Sequence, residues 1–206
     1  MPPIHQEPAA PDRKPHTLIL DGIWGAPARW EPLRRKLSRA VGPCSIWPYN
    51  SSGTASLEHL AKMLAADLVA RGTPLHLVGY SMGGLIVREA LRQNPHLPIR
   101  SVALLHTPHY GSLAGYFLPL TACREMRPGS SFLRRLNAAP WPHRALVTWC
   151  PWDLMVLPGQ SACWKMATRS IRCDLPAHNW PILSSRIHSE IIQFFSITAT
   201  TNTSSP

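Results

Sequence analysis

The chain has 206 residues, 45% of them apolar and 16% charged, which fits one globular domain and excludes both a disordered polymer and two ordinary domains. Its formal charge of +10 comes from scattered basic residues, with no zinc-finger spacing or RNA-binding aromatic signature beside them. Nucleic acid is therefore not an expected partner, and the charge reads as solubility or as weak association with an anionic membrane surface. Five cysteines without a C-x-x-C pair argue against a zinc or redox motif, and Cys44, Cys150 and Cys173 fall in or beside strand-like runs as buried thiols. No segment is long and apolar enough to span a membrane, and the first residues lack an apolar signal core. A cytoplasmic monomer is the expectation.

Residues 1–15 are polar and proline-rich and are expected to form a disordered extension, as is the Ser/Thr-rich tail 197–206. Residues 16–22 form a short apolar run that ends in Gly22, a buried-strand signal. In residues 27–40, Trp30, Leu33 and Leu37 recur at helical spacing behind Pro27. A weaker strand, interrupted by Pro48, follows in 43–49. Ser56 is placed to cap a helix that carries Leu57, Leu60, Leu64 and Leu68 on one face and ends at Gly72. Strands are predicted at 75–80, 101–106, 145–150 and 170–175, with a helix over 82–93. A final helix over 185–195 turns Ile187, Ile191, Ile192 and Phe195 inward and leaves His188 on the surface. Alternating apolar strands and helices predict a compact α/β domain over 16–196, with a mainly parallel sheet of about six strands covered on both faces. The long interruption at 107–143, rich in Pro and Gly, breaks the alternation. Its residues 109–142 are expected to form a lid, cap or pocket wall.

The strongest chemical signal is Gly79-Tyr80-Ser81-Met82-Gly83-Gly84, between the strand LHLV and the helix LIVREALRQN. A serine presented at a sharp strand-to-helix turn needs neighbours without Cβ atoms, which Gly79 and Gly83 supply. The Met82 amide falls at the helix N-terminus, where it can donate to an anion.

GYSMGG resembles the nucleophile turn of the α/β-hydrolases, and of the small bacterial lipases and esterases in particular. Three further segments carry the likeness over roughly 16–196. LDGIWG (20–25) resembles the lipase H-G-x-x-G loop, with Asp21 where the family usually has His. LHTPHYGS (105–112) resembles a T-P-H-x-G-S stretch, and RPGSSFL (127–133) a P-G-S-x-F-L segment. The resemblance implies the α/β-hydrolase fold, a Ser-Asp-His triad in that chain order with neither metal nor cofactor, and an oxyanion hole from the amides of Ile23 and Met82. Within that order Asp153, in WDLMVLP after the strand ALVTWC, resembles the family's D-x-x-V-P acid loop, with Asp174 as the alternative. His178 is the base, since it follows the last strand, whereas His188 sits inside a helix. The implied catalytic residues are thus Ser81, Asp153 and His178.

Trp24, Tyr80 and Trp180 are the expected substrate contacts. The tryptophans near the loops, Trp30 and Trp152 included, suit either an acyl pocket or ordinary packing. Tyr116, Phe117, Leu118 and Leu120 either face substrate or cover the sheet edge. His106 and His109 flank Thr107-Pro108 without enough further ligands for a metal. The expected activity is hydrolysis of a small-molecule or lipid carboxylic ester. Acyl transfer, thioester cleavage and a silent binding scaffold are the alternatives.

Overall fold

The computed structural model describes residues 14–200. Six parallel strands form one sheet: β1 (His16–Leu20), β2 (Cys44–Ile46), β3 (Leu75–Tyr80), β4 (Ile99–Leu105), β5 (Ala145–Trp149) and β6 (Arg169–Arg172), in the order β2-β1-β3-β4-β5-β6. Side chains alternate across it. Leu18, Leu20, Leu77 and Leu104 face α2 (Leu57–Arg71) and α3 (Met82–Gln93). Ile19, Val78, Ala103 and Leu105 face α1 (Glu31–Ala40) and α7 (Ser185–Thr200). Both faces are thus covered, which is why these strands read as continuous apolar runs.

Local signals place the long elements. Ser56 Oγ accepts the His59 amide at 3.1 Å to start α2, and Gly72 ends it in the left-handed region at φ +57°. The helix expected over 27–40 begins as a 3-10 turn, Pro27–Trp30, before α1. The last helix was expected to stop at Phe195, but α7 runs to Thr200. No glycine or proline intervenes to break it, so the expected tail is helical over 197–200. The remaining expectations of disorder, for 1–13 and 201–206, lie outside the described residues.

His188 also departs from expectation. It is buried, and its Nε2 lies 2.7 Å from the Ile182 carbonyl, tying α7 to the short α6 (Trp180–Leu183). A residue three before the inward Ile191 shares its face, a constraint that outweighs the polarity of the ring. All five cysteines carry free thiols. Among the described residues, no helix is long and apolar enough to cross a membrane.

The chain reverses its direction of winding between β1 and β3, because β2 lies on the far side of β1. Such a switch opens a crevice at the carboxyl ends of the strands. The loops after β1, β3, β4, β5 and β6 all emerge there.

Candidate active site

Ser81 sits between β3 and α3 at φ +52°, a strained setting for a residue with a side chain. The flanking glycines permit it. A Cβ on Gly79 would lie 2.6 Å from the Gly84 Cα, and one on Gly83 would lie 2.6 Å from the Leu20 carbonyl oxygen. Among the described residues, two more non-glycines adopt positive φ, Trp24 after β1 and His106 after β4. Trp24 and Ser81 line the same cavity, and His106 is buried beneath it beside Asp153.

Asp153 is buried in the loop after β5. Its Oδ1 accepts the amides of Met155 at 2.8 Å and Val156 at 3.1 Å. Its Oδ2 lies 2.7 Å from His178 Nδ1 and 2.9 Å from His106 Nδ1. Burial alone would raise the Asp153 pKa, but the donors from His106 and His178 outweigh it and hold the carboxyl well below the usual range. Asp153 is therefore an anion at any ordinary pH. The three donor atoms lie within 4.8 Å of one another, a spacing that a divalent ion would also accept. His178 Nδ1 and Asp153 Oδ2 already satisfy each other at 2.7 Å, which suits proton handling. Asp174, the alternative acid, is exposed and pairs with Arg172.

His178 and Ser81 line one cavity of about 310 Å³. Ile23, Trp24, Tyr80, Arg29 and Asn179 line it as well, while Leu118, Cys123 and Met126 of the 109–142 insertion close its apolar side. The insertion is a wall stitched to the body. Ser112 Oγ donates to the Met155 carbonyl and the Leu113 amide to that of Leu157, while the Ala122 amide reaches Gly53. Of the aromatic and aliphatic residues expected there, Leu118 faces the cavity. Tyr116 and Phe117 are exposed, and Leu120 packs against the core.

The loop after β1 is held by Asp21, which accepts from the Gly22 amide at 2.7 Å and forms an ion pair with Arg29. Tyr49 Oη donates to the Asp21 carbonyl at 2.5 Å. The amides of Gly22, Trp24 and Gly25 are all committed to acceptors. Among the described residues, the Ile23 amide has none. Met82 buries its side chain in the core, with its amide in the first turn of α3.

Trp180 does not line the cavity. It opens α6 one residue beyond Asn179 and packs toward the core of α1 and α7. Trp30 is buried, with its ring edge-on to Tyr80 at 5.8 Å, and Trp152 is exposed. Arg29 and Asn179 carry no motif, so nothing in the sequence marked them. Asn179 Oδ1 accepts from Tyr80 Oη at 2.8 Å and from Arg29 at 3.4 Å, joining the β1 loop to the histidine loop.

A six-stranded parallel sheet with a strained serine after β3, an acid after β5 and a histidine after β6 defines the α/β-hydrolase fold, and the chain adopts it. It is similar to the mature form of a Bacillus licheniformis lipase, with TM-score 0.69, 16% identity and 96% of each chain covered. A Paleococcus ferrophilus monoacylglycerol lipase matches with TM-score 0.68, 14% identity and 90% of this chain covering 96% of that one. A thioesterase of the prodiginine pathway in Streptomyces coelicolor matches with TM-score 0.58, 18% identity, and 96% and 97% covered. No protein-family model and no curated protein sequence matches the chain.

Proposed function

We propose that the protein is a serine hydrolase of carboxylic esters, of lipase or esterase type. The observation that carries this reading is the Asp153–His178 hydrogen bond of 2.7 Å, with His178 and Ser81 facing the same cavity. In this reading His178 takes the Ser81 proton through Nε2 as Oγ attacks the ester carbonyl. Asp153 keeps the imidazole in the Nδ1–H tautomer and stabilises its cation. The amides of Ile23 and Met82 hold the oxyanion, the alcohol departs with the proton from His178, and water releases the acid from the acyl-enzyme by the same route.

An apolar cavity of about 310 Å³ suits an acyl chain. Several large apolar side chains are exposed on the loops of this end: Trp24, Leu113, Phe117, Trp152 and Leu154. Together with the +10 charge, they favour an ester presented at an anionic lipid surface. Likeness to a thioesterase supports a second reading, in which the same residues cleave a thioester.

Turnover of p-nitrophenyl esters from acetate to palmitate, and of matched thioesters, tests both readings. The expected result is one preferred range of oxygen-ester chain lengths, with Ser81→Ala reduced by roughly 10⁴-fold or more. Turnover confined to thioesters favours the second reading. Background rates on both series, with no fluorophosphonate labelling of Ser81, reject the serine hydrolase.

A further inference from the structure

His106 ends β4 in a setting that packing does not explain. The ring is fully buried, its backbone lies at φ +45°, and neither ring nitrogen has a partner in full hydrogen-bond geometry. A buried imidazole in the left-handed region is costly on each count. Its backbone is held firmly, with the amide donating to the Thr148 carbonyl at 3.0 Å. What the ring does reach is Asp153. Nδ1 lies 2.9 Å from Oδ2, the oxygen that His178 Nδ1 approaches at 2.7 Å, although its line of approach is bent. The two rings are 5.7 Å apart. With the Met155 and Val156 amides on Oδ1 and His178 on Oδ2, the carboxylate accepts three hydrogen bonds, and His106 Nδ1 lies beside its remaining lone-pair site.

We propose that His106 is a positioning residue that acts on His178 through Asp153, by sharing the carboxylate oxygen that His178 uses. The inference rests on the serine-hydrolase reading for its purpose, though its physical content does not need turnover. Burial, opposed by Asp153, keeps the His106 pKa below the usual histidine value, so at neutral pH the ring is an uncharged donor. A donor on Oδ2 has two effects. It stops the carboxylate from swinging away from His178, and it takes up part of the negative charge that would otherwise favour the protonated form of His178. The other titratable groups beside this set are Tyr80, whose ring centroid is 5.0 Å from that of His178, and Cys150 and Cys173 beside the Asp153 loop. The burial-raised pKa of Tyr80 and of Cys173 keeps both uncharged near neutral pH.

The test uses two substitutions of similar shape. His106→Asn places an amide nitrogen at the position of Nδ1 and tolerates positive φ, whereas His106→Leu removes the donor. His106→Gly, which this backbone conformation favours, serves if the leucine variant does not fold. NMR of the ring protons of His178 reads its titration without turnover, and the acid limb of kcat/KM for a p-nitrophenyl ester reads it in action. In His106→Leu and His106→Gly, both midpoints are expected to move up by roughly 0.5–1 pH unit, with kcat down about tenfold and KM unchanged. His106→Asn should restore wild-type values. Midpoints that stay put in the leucine or glycine variant, or an asparagine variant no better than leucine, overturn the proposal. If the wild type turns over no ester, the hydrolase reading fails while the NMR titration still decides this one.

Discussion

Arg29 and Asp21 show what a single pair does for the site. The Asp21 side chain is almost wholly buried and Arg29 only about a quarter exposed, so each depends on the other. Arg29 also lies over the Tyr80 ring, 5.1 Å from its centroid. Arg29→Met keeps much of the packing but leaves a buried carboxylate without its cation, a loss of about 3 kcal/mol. Arg29→Met with Asp21→Asn should recover most of that in chemical denaturation, because the uncompensated charge is gone. In the proposed mechanism the double variant still loses roughly tenfold in kcat, since the amide of Ile23 is no longer braced. Equal stability of the single and double variants would show that the pair does not couple. Asp21 stood out in the sequence only as a departure from the lipase loop pattern. Its replacement brace could not be read there, because Arg29 lies eight positions further on, beyond a loop whose geometry nothing local sets.

Among the elements, the β3–turn–α3 unit was the most legible. The expected strand at 75–80 and helix at 82–93 match the structure to the residue, because hydrophobic period and glycines both act within the unit. That also makes it intolerant. Gly79→Ala sets a Cβ 2.6 Å from the Gly84 backbone, with no flexible side chain to yield, and is expected to cost several kcal/mol and reduce soluble expression. Ser56→Ala, by contrast, removes one cap bond from α2 and should cost about 1 kcal/mol. Thermal unfolding of the two variants checks the ranking, and similar losses for both would contradict it. The 109–142 insertion was far less legible. Its helices, α4 (Thr121–Glu125) and α5 (Ser131–Ala138), are short, and bonds to Gly53, Met155 and Leu157 hold it from across the chain. Periodicity cannot reveal partners that distant. His106 was weighed in the sequence only as a metal ligand for the same reason, since its neighbour Asp153 lies 47 positions away.

For the whole molecule, buried imidazoles set the response to acid. Burial pushes the His76 pKa down to about 4, and its ring stacks on Phe195. Burial lowers His16, His109, His143 and His188 in the same direction, and His106 against the pull of Asp153. A histidine that binds its proton more weakly when folded favours the unfolded chain wherever the latter is protonated. Stability is therefore fullest above about pH 6.5 and falls as pH drops toward 4, with His76 alone contributing up to about 3 kcal/mol of the loss. Calorimetry from pH 7.5 to 4.5 should show Tm declining through this window, and His76→Phe should flatten part of the decline. A constant Tm across it would mean that these rings are not buried as described.

The bond from Arg29 to Asn179 spans 150 positions, and that from Tyr80 to Asn179 spans 99. Ser81 leaves the ribosome with its strand and helix early, but the ring that would activate it is made almost 100 residues later. During synthesis the nascent protein therefore carries an inert serine, and under the proposed mechanism it becomes a hydrolase only once the segment after β6 has emerged and closed over the loop of β1. Under that mechanism the order of translation would act as a safety catch, leaving a chain stalled before residue 178 harmless to the esters around it.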